Sequence, residues 1–128
     1  MANNVTVVGA LQNDPELRFT PNGNAVVSVT VRDSKPVKKG EKRQDSYFDV
    51  TIWGDLAEHV AESLEKGDRV ICVGKLEQQK WETAEGEKRS KIQVVAWNFG
   101  PDLSYASATV VRNEAAEEQA PAEVSAGF

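Results

Sequence analysis

Valines and other β-formers alternate with polar residues through much of this chain, and that two-residue period restricts its fold more than any other feature. "NAVVSVTVR" sets Ala25, Val27, Val29 and Val31 on one side of an extended backbone and Val26, Ser28, Thr30 and Arg32 on the other. "YFDVTIW" sets Phe48, Val50 and Ile52 against Tyr47, Asp49, Thr51 and Trp53. Successive side chains of a strand point to opposite faces, so each stretch offers one face to a core and one to solvent. "NVTVVGAL", "DRVICVGKL" and "KIQVVAWNF" are further β-rich runs with turn residues between them. One segment breaks the period. In "GDLAEHVAESLEKG", Leu56, Val60 and Leu64 lie four apart, along one stripe of a helix. Asp55 with Glu58 suits a capping box, Gly67 suits the left-handed position after the helix, and about three turns are expected.

Three strands, a helix and two strands describe an all-β chain. The arrangement that fits is the OB-fold, a five-stranded Greek-key barrel with one α-helix between strands 3 and 4. "ASATVVR", 106–112, alternates well enough to add one more strand. Residues 1–112 are expected to form one domain. Residues 113–128, "NEAAEEQAPAEVSAGF", are small, acidic and interrupted by proline, and read as a short disordered tail. Cys72 is the only cysteine, so no intrachain disulfide can form and a reducing cytoplasm is the default compartment. The N-terminal "MANNVTVVG" lacks a signal-peptide pattern, and no run is long and apolar enough for a membrane span.

The net charge of −5 looks unsuited to a polyanionic partner. Its distribution changes that view. Four of the 20 acidic residues (Glu114, Glu117, Glu118 and Glu123) follow Asn113, which leaves 16 against 15 basic residues in the first 112. Within "RDSKPVKKGEKR", Arg32, Lys35, Lys38, Lys39, Lys42 and Arg43 face only Asp33 and Glu41, and "KRSK" adds Lys88, Arg89 and Lys91. Local clusters, not the total, decide the field a ligand meets.

If Phe48, Val50 and Ile52 fill the barrel, Tyr47 and Trp53 must face outward. Trp81 sits in "QQKWETAEGEKRSK", where Glu85-Gly86 reads as a turn and nearly every neighbour is polar. Exposed rings beside cations suit single-stranded nucleic acid, whose bases offer flat faces and whose phosphates offer charge. For Trp53, beside the helix start, stacking and packing both stay open; Tyr47 and Trp81 point to stacking. Lys75 and Lys80 join the candidate cations. Arg18, in "DPELRFTPNG", suits either a phosphate or a surface pair with Asp14 or Glu16. Trp97 and Phe99 share strand parity and are expected in the core or at an interface.

These stretches resemble the bacterial single-stranded DNA-binding protein family, in its actinobacterial form. "DPELRFTPNG", "LAEHVAESLEKGDRV" and "GKLEQQKWETAEGEKRSK" carry the resemblance, which covers roughly residues 3 to 112. It implies an OB-fold, a homotetramer, sequence-independent binding and protection of single-stranded DNA in replication, recombination and repair, and stacking at Tyr47, Trp53 and Trp81. It also implies that 106–112 supplies a C-terminal clamp strand between subunits. Two departures stand out. Relatives often carry another stacking aromatic in the loop that here reads "DSKPVKKGEKRQD", so phosphate pairing is expected to matter more. Relatives end in an acidic tip closing on Pro-Phe, whereas "EVSAGF" lacks it; this suggests a short paralogue and counts against tip-mediated recruitment of DNA-metabolism enzymes.

Enzyme chemistry is not expected. His59 is the lone histidine, Cys72 has no sequence partner, and no phosphate-binding glycine loop, metal-ligand cluster or cofactor motif is present. An OB-fold that binds RNA, or a structural assembly protein with its rings at subunit contacts, stays open on composition; only the resemblance favours DNA. A nucleoid-associated place in the cytoplasm follows from that partner.

Overall fold

The expected alternation becomes real strands in a computed structural model that describes residues 3–113. β1 (Asn4–Leu11), β2 (Arg18–Phe19), β3 (Ala25–Asp33) and β4 (Ser46–Trp53) precede α1 (Asp55–Ser63), and β5 (Arg69–Glu82) and β6 (Lys88–Pro101) follow it. The sheet order is β1-β5-β6-β4-β3-β2, with β1 also paired to β3. That extra pairing closes a five-stranded barrel from β1, β3, β4, β5 and β6. Its one parallel contact joins β4 to β6, at Val50 with Val94 and Thr51 with Val95. This is the OB-fold arrangement. β2, two residues long, lies on the edge of β3 and is an addition to the expected strands.

The inward faces are those the alternation assigns. Val27, Val29 and Val31 of β3, Val50 and Ile52 of β4, Val70 and Cys72 of β5 and Val94 of β6 are all buried. Each such side chain contributes about 1.5–3 kcal/mol through removal from water. α1 adds Ala57 and Val60 to the same core, with Leu56 and Leu64 packed at its margin. Two glycines allow the barrel to close where backbones nearly touch. A Cβ on Gly9 would meet the Arg32 carbonyl oxygen at 2.2 Å, and one on Gly74 would meet that of Val95 at 2.2 Å.

Several local expectations are corrected. The helix is nine residues, and its N-cap is Gly54, with φ 72° and no side-chain cap, so Asp55 and Glu58 form no capping box. Gly54 takes that place because its N–H is spent on Ala25 O as the chain leaves β4. Asp55 and Glu58 instead put negative charge in the first turn, where the helix dipole favours it. The helix closes at Leu64, so Gly67 lies past the position after the helix; it sits at φ 96° in the following turn and donates to Leu11 O. Trp97 and Phe99 do not share a face. Gly74 pairs with Ala96 but Val73 pairs with Asn98, so Trp97 is the extra residue of a β-bulge. Phe99 packs on the core and Trp97 is exposed. Residues 106–111 are exposed and form no strand within this chain. The acidic segment from 114 onward lies outside the described residues.

Candidate nucleic-acid interface

β5 and β6 are 14 residues each, far longer than the barrel needs. From Leu76 to Glu82 and from Lys88 to Ile92 every residue is exposed, so the hairpin overhangs the barrel. The turn is closed by Thr83 N to Glu87 O at 2.8 Å and Gly86 N to Thr83 O at 2.9 Å. Gly86, at φ 84°, supplies the backbone that the turn needs.

The register assembles a single outer face from four strands. On β4 it carries Tyr47, Asp49, Thr51 and Trp53, opposite Arg32, Thr30, Ser28 and Val26 of β3. Thr51 Oγ1 donates to Gln93 Oε1 at 2.8 Å, and Lys91 Nζ lies 3.8 Å from Asp49 Oδ2, which joins that face to β6. Across β6, Gln93, Lys91 and Arg89 pair with Glu77, Gln79 and Trp81 of β5. Tyr47, Trp53 and Trp81 therefore stand on one continuous surface, 61%, 45% and 47% exposed. Trp53 and Trp81 are each about half covered. That coverage holds a ring in place while leaving a face free.

Cations flank each ring. Arg32 is the direct cross-strand partner of Tyr47, and Arg89 that of Trp81. Arg18 pairs with Val26, which pairs with Trp53, so Arg18 is two strands away, about 10 Å. It makes no ion pair with Asp14 or Glu16; Asp14 instead accepts from Lys66 N at 2.8 Å. The Nε of Arg32 is covered and has no hydrogen-bond partner among the described residues. The hairpin of β3 and β4 ends at Asp33 with Ser46, one pair beyond Arg32 and Tyr47, and from there the loop carries Lys35, Lys38, Lys39 and Lys42, all exposed.

Other candidate cations already hold acids. Arg43 bonds Asp45 at 3.1 Å, Lys75 lies 3.4 Å from Glu77, and Arg89 bonds Glu87 at 2.6 Å. Exposed pairs of this kind are worth about 0–1 kcal/mol, so a phosphate can replace the carboxylate at little cost. Lys80 and Lys88 pair with Ser90 and Glu82, on the hairpin face opposite Trp81, and the fold does not bring them to the rings. A polar floor lies between the rings, formed by Ser28, Asp49, Thr51, Gln79, Lys91 and Gln93; of these, sequence reasoning had Lys91 as a candidate cation and Ser28, Asp49 and Thr51 only as outward residues, and it passed over Gln79 and Gln93. Parity alone could have found its β3 and β4 members. It also passed over Phe19, 60% exposed, which lines a second groove with Trp53, Asp55 and Glu58. The acids make that groove less suited to a phosphodiester chain.

No reactive group interrupts this surface. Cys72 faces the barrel interior, where burial pushes its thiol up from 9.0 to about 11. His59 is exposed on α1. Asp102 lies well away in sequence, at the end of β6. The Ser104 hydroxyl and backbone N–H, then Arg69, hold its carboxyl below the usual range, and Tyr105 rests over Arg69 at 5.7 Å.

With this geometry in hand, comparison with known proteins adds independent evidence. The single-strand binding protein family matches residues 2–101. A single-stranded DNA-binding protein of Paenarthrobacter aurescens is 44% identical over 118 residues, covering 86% of this chain and 67% of that one. One from Corynebacterium glutamicum is 45% identical over 114 residues, covering 85% and 51%, and one from Mycolicibacterium smegmatis is 47% identical over 114 residues, covering 83% and 67%. The chain thus spans between half and two-thirds of the length of these relatives.

Proposed function

The chain belongs to the single-strand binding protein family, and from that premise we propose that it binds and protects single-stranded DNA without strong sequence preference. It is a binding protein, not an enzyme. Bases stack on Tyr47, Trp53 and Trp81. Phosphates pair with Arg32 and Arg89 beside Tyr47 and Trp81, with Arg18 two strands from Trp53, and with Lys35, Lys38, Lys39, Lys42 and Arg43 on the loop past Tyr47. The observation that carries this reading is the placement of three half-exposed rings on one face, each with a cation beside it or across one strand. Stacking contributes about 1–3 kcal/mol per base and accepts any base, because every base has a π-face.

The same reading makes the protein a homotetramer in the cytoplasm, at the nucleoid, serving replication, recombination or repair. Support for self-association comes from the outer face of β1, β5 and β6. There Ile71 and Trp97 are exposed beside the half-buried Val8 and Val73, an apolar area at the opposite end of β5 from Trp81. Titration of tryptophan fluorescence with oligo-dT, oligo-rU and a duplex tests the ligand. Strong quenching by oligo-dT, weaker by oligo-rU and none by duplex is expected. An unchanged signal with all three sinks the proposal and favours a purely structural assembly protein. Mass in solution with and without oligo-dT tests the tetramer.

A further inference from the structure

Trp53 lines two grooves. One holds the polar floor; the other, of about 410 Å³, lies past the end of β4, with Phe19, Ala25 and Trp53 as apolar walls and Asp55 and Glu58 beside them. Phe19 is 60% exposed and Trp53 45%. Asp55 and Glu58 are exposed and form no ion pair with any described residue. Ring faces are electron-rich and the carboxylates add full negative charge, so this groove attracts a cation on an apolar stem and repels a phosphodiester chain. The occupant it suits is a basic, partly apolar peptide segment.

This chain carries such a segment in Lys35-Pro36-Val37-Lys38, at the start of the loop between β3 and β4. It lies in neither helix nor strand, its lysines hold no acid, and Val37 is 43% exposed. It cannot seat in its own groove. The loop leaves the sheet at the pair Asp33–Ser46, seven residues along β4 from Trp53, or roughly 23 Å. Val37 is four residues past Asp33 and reaches at most about 14 Å from it. Basic loop and acidic groove therefore sit at opposite ends of the strand that carries Tyr47 and Trp53. Copies lined up head to tail along one DNA strand bring the loop of one to the groove of the next. Resting on the single-stranded DNA reading above, we propose that this groove receives the Lys35–Lys38 segment of a second copy on the same DNA strand and makes binding cooperative. The two patches differ, so the contact is heterologous and extends along the DNA instead of closing. Because Trp53 lines both grooves, a docked loop steadies the ring on which a base stacks, and by linkage bound DNA favours docking.

The test compares two lengths of oligo-dT: the shortest that holds a single assembly, fixed by light-scattering mass, and a long polymer that holds many. Affinity per assembly is read from tryptophan quenching at one low salt concentration. The native chain is expected to bind the long polymer about tenfold more tightly, the scale of two exposed charge contacts. Asp55→Asn with Glu58→Gln should bring that ratio close to one without weakening binding to the short oligomer. Phe19→Ala, which changes no charge, should lower the ratio about threefold through the lost ring face. Glu62→Gln with Glu65→Gln removes the same charge nearby but outside the groove, and should keep the native ratio. A native ratio of one overturns the proposal. So does a ratio that the groove variant leaves alone or that the Glu62 and Glu65 variant lowers as far. Equal weakening on both lengths would mean that the groove holds the DNA itself, which overturns it too. If the native chain binds neither length, the single-stranded DNA reading has failed instead.

Discussion

Replacement of Trp81 by alanine separates stacking from every other role this ring could have. In the free protein the indole is 47% exposed on a two-stranded overhang, and its direct cross-strand neighbour is Arg89. A cross-strand pair of this kind contributes roughly 0.2–1 kcal/mol, so folding stability should fall by no more than about 1 kcal/mol. Binding should suffer more. Loss of one stacked base is worth about 1–3 kcal/mol, which is about a 5- to 150-fold weaker affinity per site. A second readout decides the mechanism. Trp81 carries no charge, so plots of log affinity against log salt should be parallel for the native and variant proteins, only displaced. Anisotropy titrations with labelled oligo-dT across a salt series give both quantities, and light scattering gives the mass. An affinity within twofold of native would refute the stacking role. A slope change near 0.7 would mean that the ring instead holds Arg89 on a phosphate. Loss of subunits would assign Trp81 to an interface.

Three further outcomes follow from the same structure. Lys38→Ala with Lys39→Ala should flatten the salt slope by about 1.4 for oligo-dT, with tryptophan quenching at saturation unchanged, because both lysines are exposed and hold no acid. Gly74→Ala should lower thermal stability by roughly 1–3 kcal/mol in a melting experiment, since its Cβ would sit 2.2 Å from the Val95 carbonyl oxygen at the bulge. Cys72 gives a pH dependence of defined sign. Its folded pKa, about 11, lies above the unfolded 9.0, so the folded chain binds the proton more tightly. That contribution is complete below pH 9 and fades as pH rises from 9 to 11, a loss of about 2–3 kcal/mol. Melting curves of the native chain and of Cys72→Ala should therefore approach each other across that window; a constant gap would contradict the burial argument.

Most of the barrel was legible because its strands alternate cleanly. β1 was bounded to the residue, and parity alone placed Tyr47 and Trp53 outside, Val50 and Ile52 inside. Parity failed at Trp97, where one inserted residue turns two successive side chains to the same face. No composition signal marks such a bulge; Gly74, across the ladder from it, is the sole hint, and its meaning lies in a close approach that only three dimensions reveal. Capping failed for a related reason. Asp55 is a sound N-cap residue by type, but the chain spends the preceding residue, Gly54, on leaving β4, and that displaces the cap by one position. The rings and the basic loop were visible as residue types in a wet context. Gln93 was not, because it joins the polar floor through a bond to Thr51, 42 positions away in sequence.

The pairing of cations with acids explains how a chain of net charge −5 can hold a polyanion. Arg43, Lys75, Arg89 and Lys91 each sit within 3.8 Å of a carboxylate, and the cation of every one of these pairs is exposed. Their net worth in water is near zero, so exchange of a carboxylate for a phosphate loses little and releases counterions from the DNA. Lys35, Lys38, Lys39 and Lys42 need no exchange, since they hold no acid to begin with. Two classes of cation then respond differently to salt. The loop lysines set an affinity that falls steadily as salt rises, whereas the paired cations gain accessible charge once screening loosens their carboxylates. Where Glu87 is replaced by glutamine, Arg89 needs no exchange, so affinity for oligo-dT should rise by no more than about fivefold and the salt slope should steepen by only a fraction of the roughly 0.7 that a whole new contact would add, with the stacking signal from Trp81 preserved.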